Sequence, residues 1–89
     1  MTYRVRYSPL AAKFLRKLDP HAKSIVMKWV DTHLEGCTNP RACGKGLTGD
    51  RSTEWRYRVG IYRLIADIRD DLLLIQIADV NRRDKVYRS

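Results

Sequence analysis

The stretch EWRYRVGIYRL, which runs from Glu54 to Leu64, alternates aromatic rings with arginines, breaks at a Val-Gly pair and then repeats Tyr-Arg. Guanidinium groups bind phosphate oxygens through paired hydrogen bonds and keep their charge at any accessible pH. Several of them converging on one point suit the stabilisation of an anion, whereas a pKa above about 12 makes each a poor proton acceptor. The spacing therefore predicts either an anion-binding surface or, in the plainer alternative, a solvated sheet face.

The elements that carry these arginines are predicted to form a β-hairpin. A period of two places Trp55 and Tyr57 on one face of a strand and the arginines on the other. Gly60 suits a tight turn, and residues 62–68 form the returning strand, which brings Arg63 back beside the first two arginines. One face of the predicted hairpin belongs to a core and the other carries positive charge.

Length and composition indicate one basic globular domain that spans residues 1–89. Hydrophobic residues make up 44% and charged residues 31% of the chain, so a packed core is expected rather than disorder. The 18 lysines and arginines outnumber the 10 acidic residues and give a net charge of +8. Such a field attracts nucleic acid, an acidic membrane or an acidic protein, and composition does not decide among them.

The sequence predicts a cytoplasmic protein without a metal or other cofactor. The opening MTYRVRYSPL lacks the apolar core of a signal peptide, and no run approaches the roughly eighteen apolar residues of a membrane span. Cys37 and Cys43 lie in a glycine-rich connection and are expected to be free thiols. A zinc site would need further ligands, and His21 and His33 fall elsewhere on predicted helices.

Two amphipathic helices follow a first strand at residues 2–7. Ser8 and Asp19 each precede a proline, which is the pattern of a helix N-cap followed by the first helical residue. Gly36 is expected to end the second helix. The apolar stripe of the first helix is predicted at Leu10, Phe14 and Leu18, and that of the second at Ile25, Val26, Trp29, Val30 and Leu34.

The second half of the chain contributes the remaining strands. Residues 36–53 are predicted to form a long loop with a short extended piece at Leu47. After a turn at Asp70 and Asp71, LLLIQIADV is a nearly continuous apolar run that predicts a strand buried on both faces. The closing NRRDKVYRS is interpreted as a tail or a final helical turn.

The predicted fold class is α+β: a strand, a two-helix hairpin, three antiparallel strands and a short C-terminal tail or helix. The first strand joins the other three, and the helices pack on one face of the sheet. The uncovered face would then hold a single concavity lined by arginines and by the end of the chain. Its predicted members are Arg4, Arg6, Arg56, Arg58 and Arg63, with Arg82, Arg83 and Tyr87 at the edge.

The sequence resembles the RelE/ParE superfamily of bacterial toxins, and within it the RelE branch. The resemblance covers nearly the whole chain and rests on YRVRYSPLAAKFLRKLD, the loop pattern NPR..GK.LTG, WRYRVGIYRLIADI and the terminal VNRRDKVYR. RelE-like toxins have the fold predicted above. They are ribonucleases that occupy the ribosomal A site and cut the mRNA codon there, and each is neutralised by an antitoxin encoded beside it.

The resemblance implies catalytic roles at six matching positions. They are Glu54, Arg56, Arg58, Arg63, Arg83 and Tyr87. Lysines occupy the positions of Arg56 and Arg58 in the best-described ribonucleases, and a glutamate matching Glu54 serves as a base in some relatives. A histidine that some relatives carry in the terminal motif is absent here, and Asn81 and Arg82 stand in its neighbourhood.

The implied reaction is attack of an RNA 2′-hydroxyl on the adjacent phosphate, which requires no metal. The arginines would stabilise the developing charge, while Tyr87, Glu54, a ribosomal group or solvent would move the protons. The ring of Tyr87 would also be able to stack on a base. Further contacts to RNA are expected from Arg4, Arg6, Arg82 and Arg88.

Two other classes of function stay open. The ParE branch shares this fold and inhibits DNA gyrase by binding it, without catalysis. A plain basic nucleic-acid-binding module is the other alternative, and it leaves the terminal arginine and tyrosine unexplained. The partners expected for the ribonuclease are an acidic RelB-like antitoxin and the ribosome with its mRNA and rRNA, with operator DNA bound only through the antitoxin and no membrane involved.

Overall fold

The computed structural model describes residues 1–46 and 54–82, which form one mixed sheet with two helices on one face. The elements in chain order are β1 (Arg4–Tyr7), α1 (Pro9–Lys17), α2 (Pro20–His33), β2 (Lys45–Gly46), β3 (Glu54–Val59), β4 (Tyr62–Arg69), a 3-10 helical turn (Asp70–Leu72) and β5 (Leu74–Arg82). The predicted α+β class is confirmed. Neither described helix is long and apolar enough to cross a membrane.

Both helices begin where the sequence predicts, because side-chain oxygens satisfy N–H groups of their first turns. Ser8 Oγ accepts a hydrogen bond from the N–H of Ala11 at 3.1 Å and donates one to the carbonyl oxygen of Ala78 in β5 at 2.6 Å. Asp19 Oδ2 accepts hydrogen bonds from two N–H groups of the first turn of α2, each at 3.2 Å. Each cap is followed by the predicted proline.

The buried stripe of α1 lies one residue beyond the predicted one. Ala11 and Leu15 are buried, whereas Leu10, which the sequence assigns to the core, is 59% exposed. Phe14 and Leu18 are only partly buried and flank the contact. The physical reason is that α1 packs over β5, where the small side chain of Ala11 lets the helix approach the sheet.

The second helix follows its prediction more closely. Val26, Val30 and Leu34 are buried, and Trp29 is partly buried against the core. Ile25 is the exception, because it is 48% exposed. A helix that faces the sheet along the line of Val26 and Val30 turns the preceding residue towards solvent.

The sheet has the strand order β1-β5-β4-β3-β2, with β1 parallel to β5 and all other neighbours antiparallel. The three long antiparallel strands with the first strand added beside them match the prediction. The short strand β2 pairs Lys45 with Arg56, and the extended piece predicted at Leu47 lies outside the described residues. β5 continues through Arg82, so the first two residues of the predicted tail or helix are strand.

β5 is deeply buried on one face only, which corrects the prediction of burial on both. Ile75, Ile77 and Val80 are buried, and the residues between them are partly exposed. The helices cover a single face of the sheet, so even a central strand keeps a second face with partial access to water. An apolar run in the sequence does not reveal how many layers will cover it.

A β-bulge in β5 keeps its apolar residues on the covered face. Ile65 and Ala66 are consecutive on β4, yet they pair with Asp79 and Ile77, which are two residues apart. Ala78 is therefore the extra residue between two pairs. Beyond the bulge the alternation resumes, and Asp79 lies on the uncovered face.

The β3–β4 hairpin turns at Gly60, as the sequence predicts. Gly60 has a φ of +61°, and Val59 pairs with Tyr62 to close the turn. The covered face of this hairpin carries Tyr57 and Leu64, which are opposite each other and fully buried. The opposite face of the hairpin is left open for the charged residues.

Candidate functional site

Three arginines of the hairpin share the uncovered face of the sheet, as their alternation predicts. Arg58 and Arg63 are directly opposite each other on β3 and β4, and Arg56 lies two residues earlier on the same face. Lys45 of β2 pairs with Arg56, so a fourth cation joins the group. Cβ atoms of directly opposite residues are about 5 Å apart, and like charges at that spacing repel each other. An anion between them would relieve the repulsion.

A cavity of about 460 Å³ opens beside these cations. Its volume lies within the range of small-ligand sites, which is about 300 to 1,000 Å³. The residues that line it are Trp29, Cys43, Gly44, Lys45, Arg56, Arg58 and Arg63. Four of these described residues are cations and none is a carboxylate, so the cavity favours an anionic ligand.

Lys45 and Trp29 line the cavity, although no pattern in the sequence predicts them as site residues. Lys45 belongs to a loop without any periodic pattern, and only its pairing with Arg56 brings it to the cavity. The one sequence signal is the glycine-lysine pair within the loop pattern NPR..GK.LTG. Trp29 is predicted as a core residue of α2, and it does contact the core while also lining the cavity.

Two ring hydrogen bonds anchor the loop before β2 to β3. Trp55 Nε1–H donates to the carbonyl oxygen of Cys43 at 2.7 Å, and the buried Tyr57 hydroxyl donates to the carbonyl oxygen of Pro40 at 2.5 Å. Burial raises the pKa of Tyr57 above its ordinary value, so the hydroxyl stays protonated as this donor. Both rings lie on the helix side of β3, and their polar atoms hold the loop at the strand's edge.

Gly44 brings the loop into van der Waals contact with β3. Its φ is +82°, and a Cβ atom at this position would overlap the carbonyl oxygen of Arg56 and lie 2.8 Å from a ring carbon of Tyr57. Only glycine fits a backbone held this closely in the left-handed region. The close approach places Lys45 in register with Arg56.

Arg41 fixes the same loop through an ion pair with Asp70. Two guanidinium N–H groups donate to the two carboxylate oxygens, each at 3.1 Å, and the Tyr3 hydroxyl donates to Asp70 Oδ1 at 2.5 Å. The hydrogen bonds from Arg41, and after them the one from Tyr3, hold the pKa of Asp70 below its ordinary value. The guanidinium carbon also lies 5.9 Å from the ring centroid of Trp55. Arg41 therefore stabilises the loop and does not line the cavity.

Glu54, Arg4 and Arg6 lie on the uncovered face but do not line the cavity. Glu54 is opposite Asp67 and lies two residues before Arg56 on the same face of β3. Arg4 and Arg6 are exposed on β1, which β5 and β4 separate from β3. Neighbouring strands are about 4.8 Å apart, so roughly 14 Å of sheet separates β1 from β3. Of the five arginines predicted to share one concavity, the described cavity is lined by Arg56, Arg58 and Arg63, and the intervening strands hold Arg4 and Arg6 away from it.

Of the four predicted site residues near the end of the chain, the structure describes only Arg82. Arg82 pairs with Tyr62, whose ring lies 6.3 Å from the ring of Phe14 in α1. Its register position is therefore on the helix side of the sheet, opposite to the face of the hairpin arginines. The remaining three, Arg83, Tyr87 and Arg88, lie outside the described residues.

The lining of the cavity supplies charge stabilisation without an evident strong base among the described residues. Its one ionisable group that is neutral in its ordinary state is the Cys43 thiol, and burial raises the pKa of that thiol. Cys37 and Cys43 are both free, as predicted. Within residues 1–46 and 54–82, no three histidine, cysteine, aspartate or glutamate side chains are grouped to hold a metal ion.

Comparisons with known proteins identify the family of this chain. The family model described as the ParE toxin of the type II toxin–antitoxin system, parDE, matches residues 5–87. Toxin RelG of Mycobacterium tuberculosis (strain ATCC 25618 / H37Rv) is 31% identical over 88 residues, which cover 99% of both chains. The chain belongs to the RelE/ParE family of toxins, the toxin components of type II toxin–antitoxin systems.

Solved structures of RelE toxins have the same architecture. In the RelBE2 toxin–antitoxin complex from Mycobacterium tuberculosis, the similar chain gives a TM-score of 0.80 at 29% identity over 93% of each chain. The archaeal RelE–RelB complex from Pyrococcus horikoshii OT3 gives 0.72 at 28% identity over 100% of each chain. The isolated Escherichia coli RelE toxin gives 0.71 over 91% of this chain and 84% of that one, and at 19% identity it shows the fold alone.

Proposed function

We propose that this toxin is a ribosome-dependent endoribonuclease that cuts mRNA in the ribosomal A site and thereby stops translation. The observation that carries the proposal is the convergence of Lys45, Arg56, Arg58 and Arg63 on one cavity. A toxin that acts only by covering a partner's surface has no need for four cations around one small volume. A phosphate group undergoing substitution is stabilised by several cations, because its negative charge increases in the transition state.

In the proposed reaction, the 2′-oxygen of a ribose forms a bond to the adjacent phosphorus, and the bond from phosphorus to the next nucleotide's 5′-oxygen breaks. The attacking hydroxyl loses a proton and the leaving oxygen gains one, so the products are a 2′,3′-cyclic phosphate and a 5′-hydroxyl end. Arg58 and Arg63 face each other across the hairpin and can bind the phosphate oxygens from two strands. Arg56 and Lys45 extend the same positive surface.

Proton transfer in this proposal falls to groups beyond the cavity's described lining. The resemblance assigns Arg83 and Tyr87 to the site, and it gives Glu54 a role as base in some relatives. The Tyr87 hydroxyl would move a proton, or its ring would stack on a base. Ribosomal groups and solvent are the other sources. A cationic site that stabilises charge without an evident base depends strongly on how its substrate is oriented, and the ribosome would supply that orientation.

The proposed physiological partner is an antitoxin, as in the toxin–antitoxin complexes named above, and we expect it to be acidic. An extended acidic segment that folds on binding would complement the net charge of +8 and would cover the helix pair and part of the sheet. The ribosome with its mRNA and rRNA is the proposed target in the cytoplasm. Operator DNA would be bound only through the antitoxin, and no membrane or cofactor takes part.

Expression of the toxin without a partner should halt translation and leave mRNA cut within ribosome-bound codons, while naked RNA is cut poorly. The measurement is the mapping of new 5′ ends on translated messages. On programmed ribosomes, Arg63→Ala and Arg83→Ala should each lower single-turnover cleavage by about a hundred to a thousandfold. Thermal unfolding of the same variants is the control for folding. Near-wild-type cleavage by the variant that combines both changes would refute the proposed active site.

The description of the matching family model favours a second candidate function, which is the inhibition of DNA gyrase by binding. This function belongs to the ParE branch and does not involve cleavage of RNA. The same expression experiment separates the two candidates. Intact messages together with accumulating gyrase-linked DNA breaks would assign the toxin to that branch.

A further inference from the structure

One aromatic side chain shares the cavity with the four cations. Trp29 comes from α2, in the helix layer, yet it lines the same cavity as Arg58. The described pairing of β2 with β3 ends at Arg56, so Arg58 lies on a part of β3 that β2 does not cover. The cavity thus extends past the edge of β3 from the cationic face of the sheet to the indole of α2.

The indole of Trp29 is held in a fixed orientation by its neighbours. The His33 ring stacks on it, with ring centroids 4.5 Å apart and an interplanar angle of 26°. The Tyr57 ring also contacts the indole, with its centroid 5.6 Å away and its plane tilted by 54°. His33 Nδ1 is 3.0 Å from the carbonyl oxygen of Trp29 itself. An aromatic surface that is already ordered loses little conformational entropy when a ligand binds to it.

We propose that Trp29 contacts a nucleobase, so that the cavity binds one unpaired nucleotide with its phosphate on the cations and its base against the indole. Phosphate charge alone gives no reason for an aromatic wall, and an aromatic wall alone gives no reason for Lys45, Arg56, Arg58 and Arg63. A nucleotide carries both a phosphate that binds the cations and a base that contacts the indole. The ligand class is single-stranded RNA, because a base stacked within a duplex is not available to a protein ring.

This inference rests on the proposed function and adds a base-contacting position from the helix layer to it. It also carries a consequence for sequence preference. Stacking accepts every base, but its strength grows with the size of the base surface. A purine at the nucleotide beside the bound phosphate should therefore be favoured over a pyrimidine.

The test compares two ligands that differ only in the base: adenosine 3′,5′-bisphosphate and the corresponding abasic ribose 3,5-bisphosphate. Proton–nitrogen correlation spectra of the wild-type toxin resolve the indole N–H signals of Trp29 and Trp55, which the Trp29→Phe variant assigns. The adenosine ligand should shift the Trp29 signal and bind roughly five to a hundred times more tightly than the abasic one. The Trp55 N–H donates to the Cys43 carbonyl oxygen at 2.7 Å and gives the second indole signal of the same spectrum.

Substitutions of Trp29 separate its aromatic character from its bulk. Trp29→Leu should bind the two ligands with equal affinity, whereas Trp29→Phe should retain most of the preference for the adenosine ligand. Ile25→Ala is the matched control, because Ile25 is one turn earlier on α2, is 48% exposed and does not line the cavity. This control should keep the full preference, and thermal unfolding reports whether each variant is folded.

Equal affinities of the wild type for the two ligands, an unmoved Trp29 signal, or no binding of either ligand would overturn the inference. It would also be overturned if an acidic peptide moved the Trp29 signal and the adenosine ligand did not, because the cavity would then be a protein-docking surface. Cleavage of mRNA on ribosomes by a toxin with an unresponsive Trp29 would refute the base contact alone. A responsive Trp29 in a toxin that does not cleave would refute the proposed function alone.

Discussion

Arg58 and Arg63 lie opposite each other in the hairpin, so removing one of the two charges should stabilise the fold while impairing cleavage. Arg58→Gln removes a charge and keeps most of the aliphatic stem. With Cβ atoms about 5 Å apart and the charges roughly 7 Å apart, the repulsion in water is about 0.6 kcal/mol. Physiological salt should reduce it to about 0.2 to 0.3 kcal/mol, since the Debye length is then about 8 Å. At low salt the gain corresponds to roughly 2 to 5 °C in Tm.

The same substitution should lower single-turnover cleavage on programmed ribosomes by about a hundred to a thousandfold, because one preorganised charge beside the reacting phosphate is lost. Thermal unfolding at low and high salt measures the stability. Arg69→Gln is the matched control: Arg69 shares the strand and the face of Arg63, but it is opposite Leu74 and lies 3.6 Å from Asp71. It should gain no stability and cleave normally. If Arg58→Gln were no more stable than the wild type at low salt, or cleaved at the wild-type rate, the assignment of the pair as a repelling phosphate site would fail.

Further changes test the loop and the site. Asp70→Asn should destabilise the toxin at neutral pH, because the ion pair with Arg41 holds the pKa of Asp70 below its ordinary value. This stabilisation is present above about pH 4 and is lost as the pH falls through the folded-state pKa of Asp70. Urea unfolding should therefore show that the stabilities of the wild type and the variant converge in acid. Gly44→Ala should cost about 1 to 3 kcal/mol of unfolding free energy in the same assay, through overlap with the β3 backbone. Tyr87→Phe should lower cleavage by about a hundredfold or more if the hydroxyl transfers a proton, and should leave it nearly unchanged if only the ring matters. Arg56→Lys should cleave better than Arg56→Ala in the ribosome assay, because lysine still supplies the charge.

The parts of the fold that the sequence predicts correctly are those determined by neighbouring residues. Ser8 and Asp19 initiate their helices through hydrogen bonds to the next few N–H groups, and Gly60 turns a hairpin whose strands are adjacent in the chain. The errors concern distant packing. Leu10 belongs to an apolar stripe by its spacing, but the line along which α1 meets β5 runs through Ala11 instead.

The same distinction applies to the candidate site. Arg58 and Arg63 come together because a two-residue turn fixes their register, so the alternation in the sequence is sufficient. Lys45 reaches the cavity through pairing across a glycine-rich loop, which no local pattern encodes. Arg4 is held away because β5, the last strand of the described residues, lies between β1 and β4. Strand order is a property of the assembled sheet and has no counterpart in the periodicity of any one segment.

The hydroxyl of Ser8 joins the start of α1 to the bulge of β5, two places that are 70 residues apart in the chain. It accepts from the N–H of Ala11 and donates to the carbonyl oxygen of Ala78, so separating the helix from the strand would leave both groups without these partners. Aspartate is a good N-cap, but its carboxylate has no proton to donate to Ala78. It would make the hydrogen bond to the N–H of Ala11 and not the one to the carbonyl oxygen of Ala78. We therefore expect α1 to open together with β5 in native-state hydrogen exchange, as one cooperative unit, rather than to fray by itself from its N-terminus.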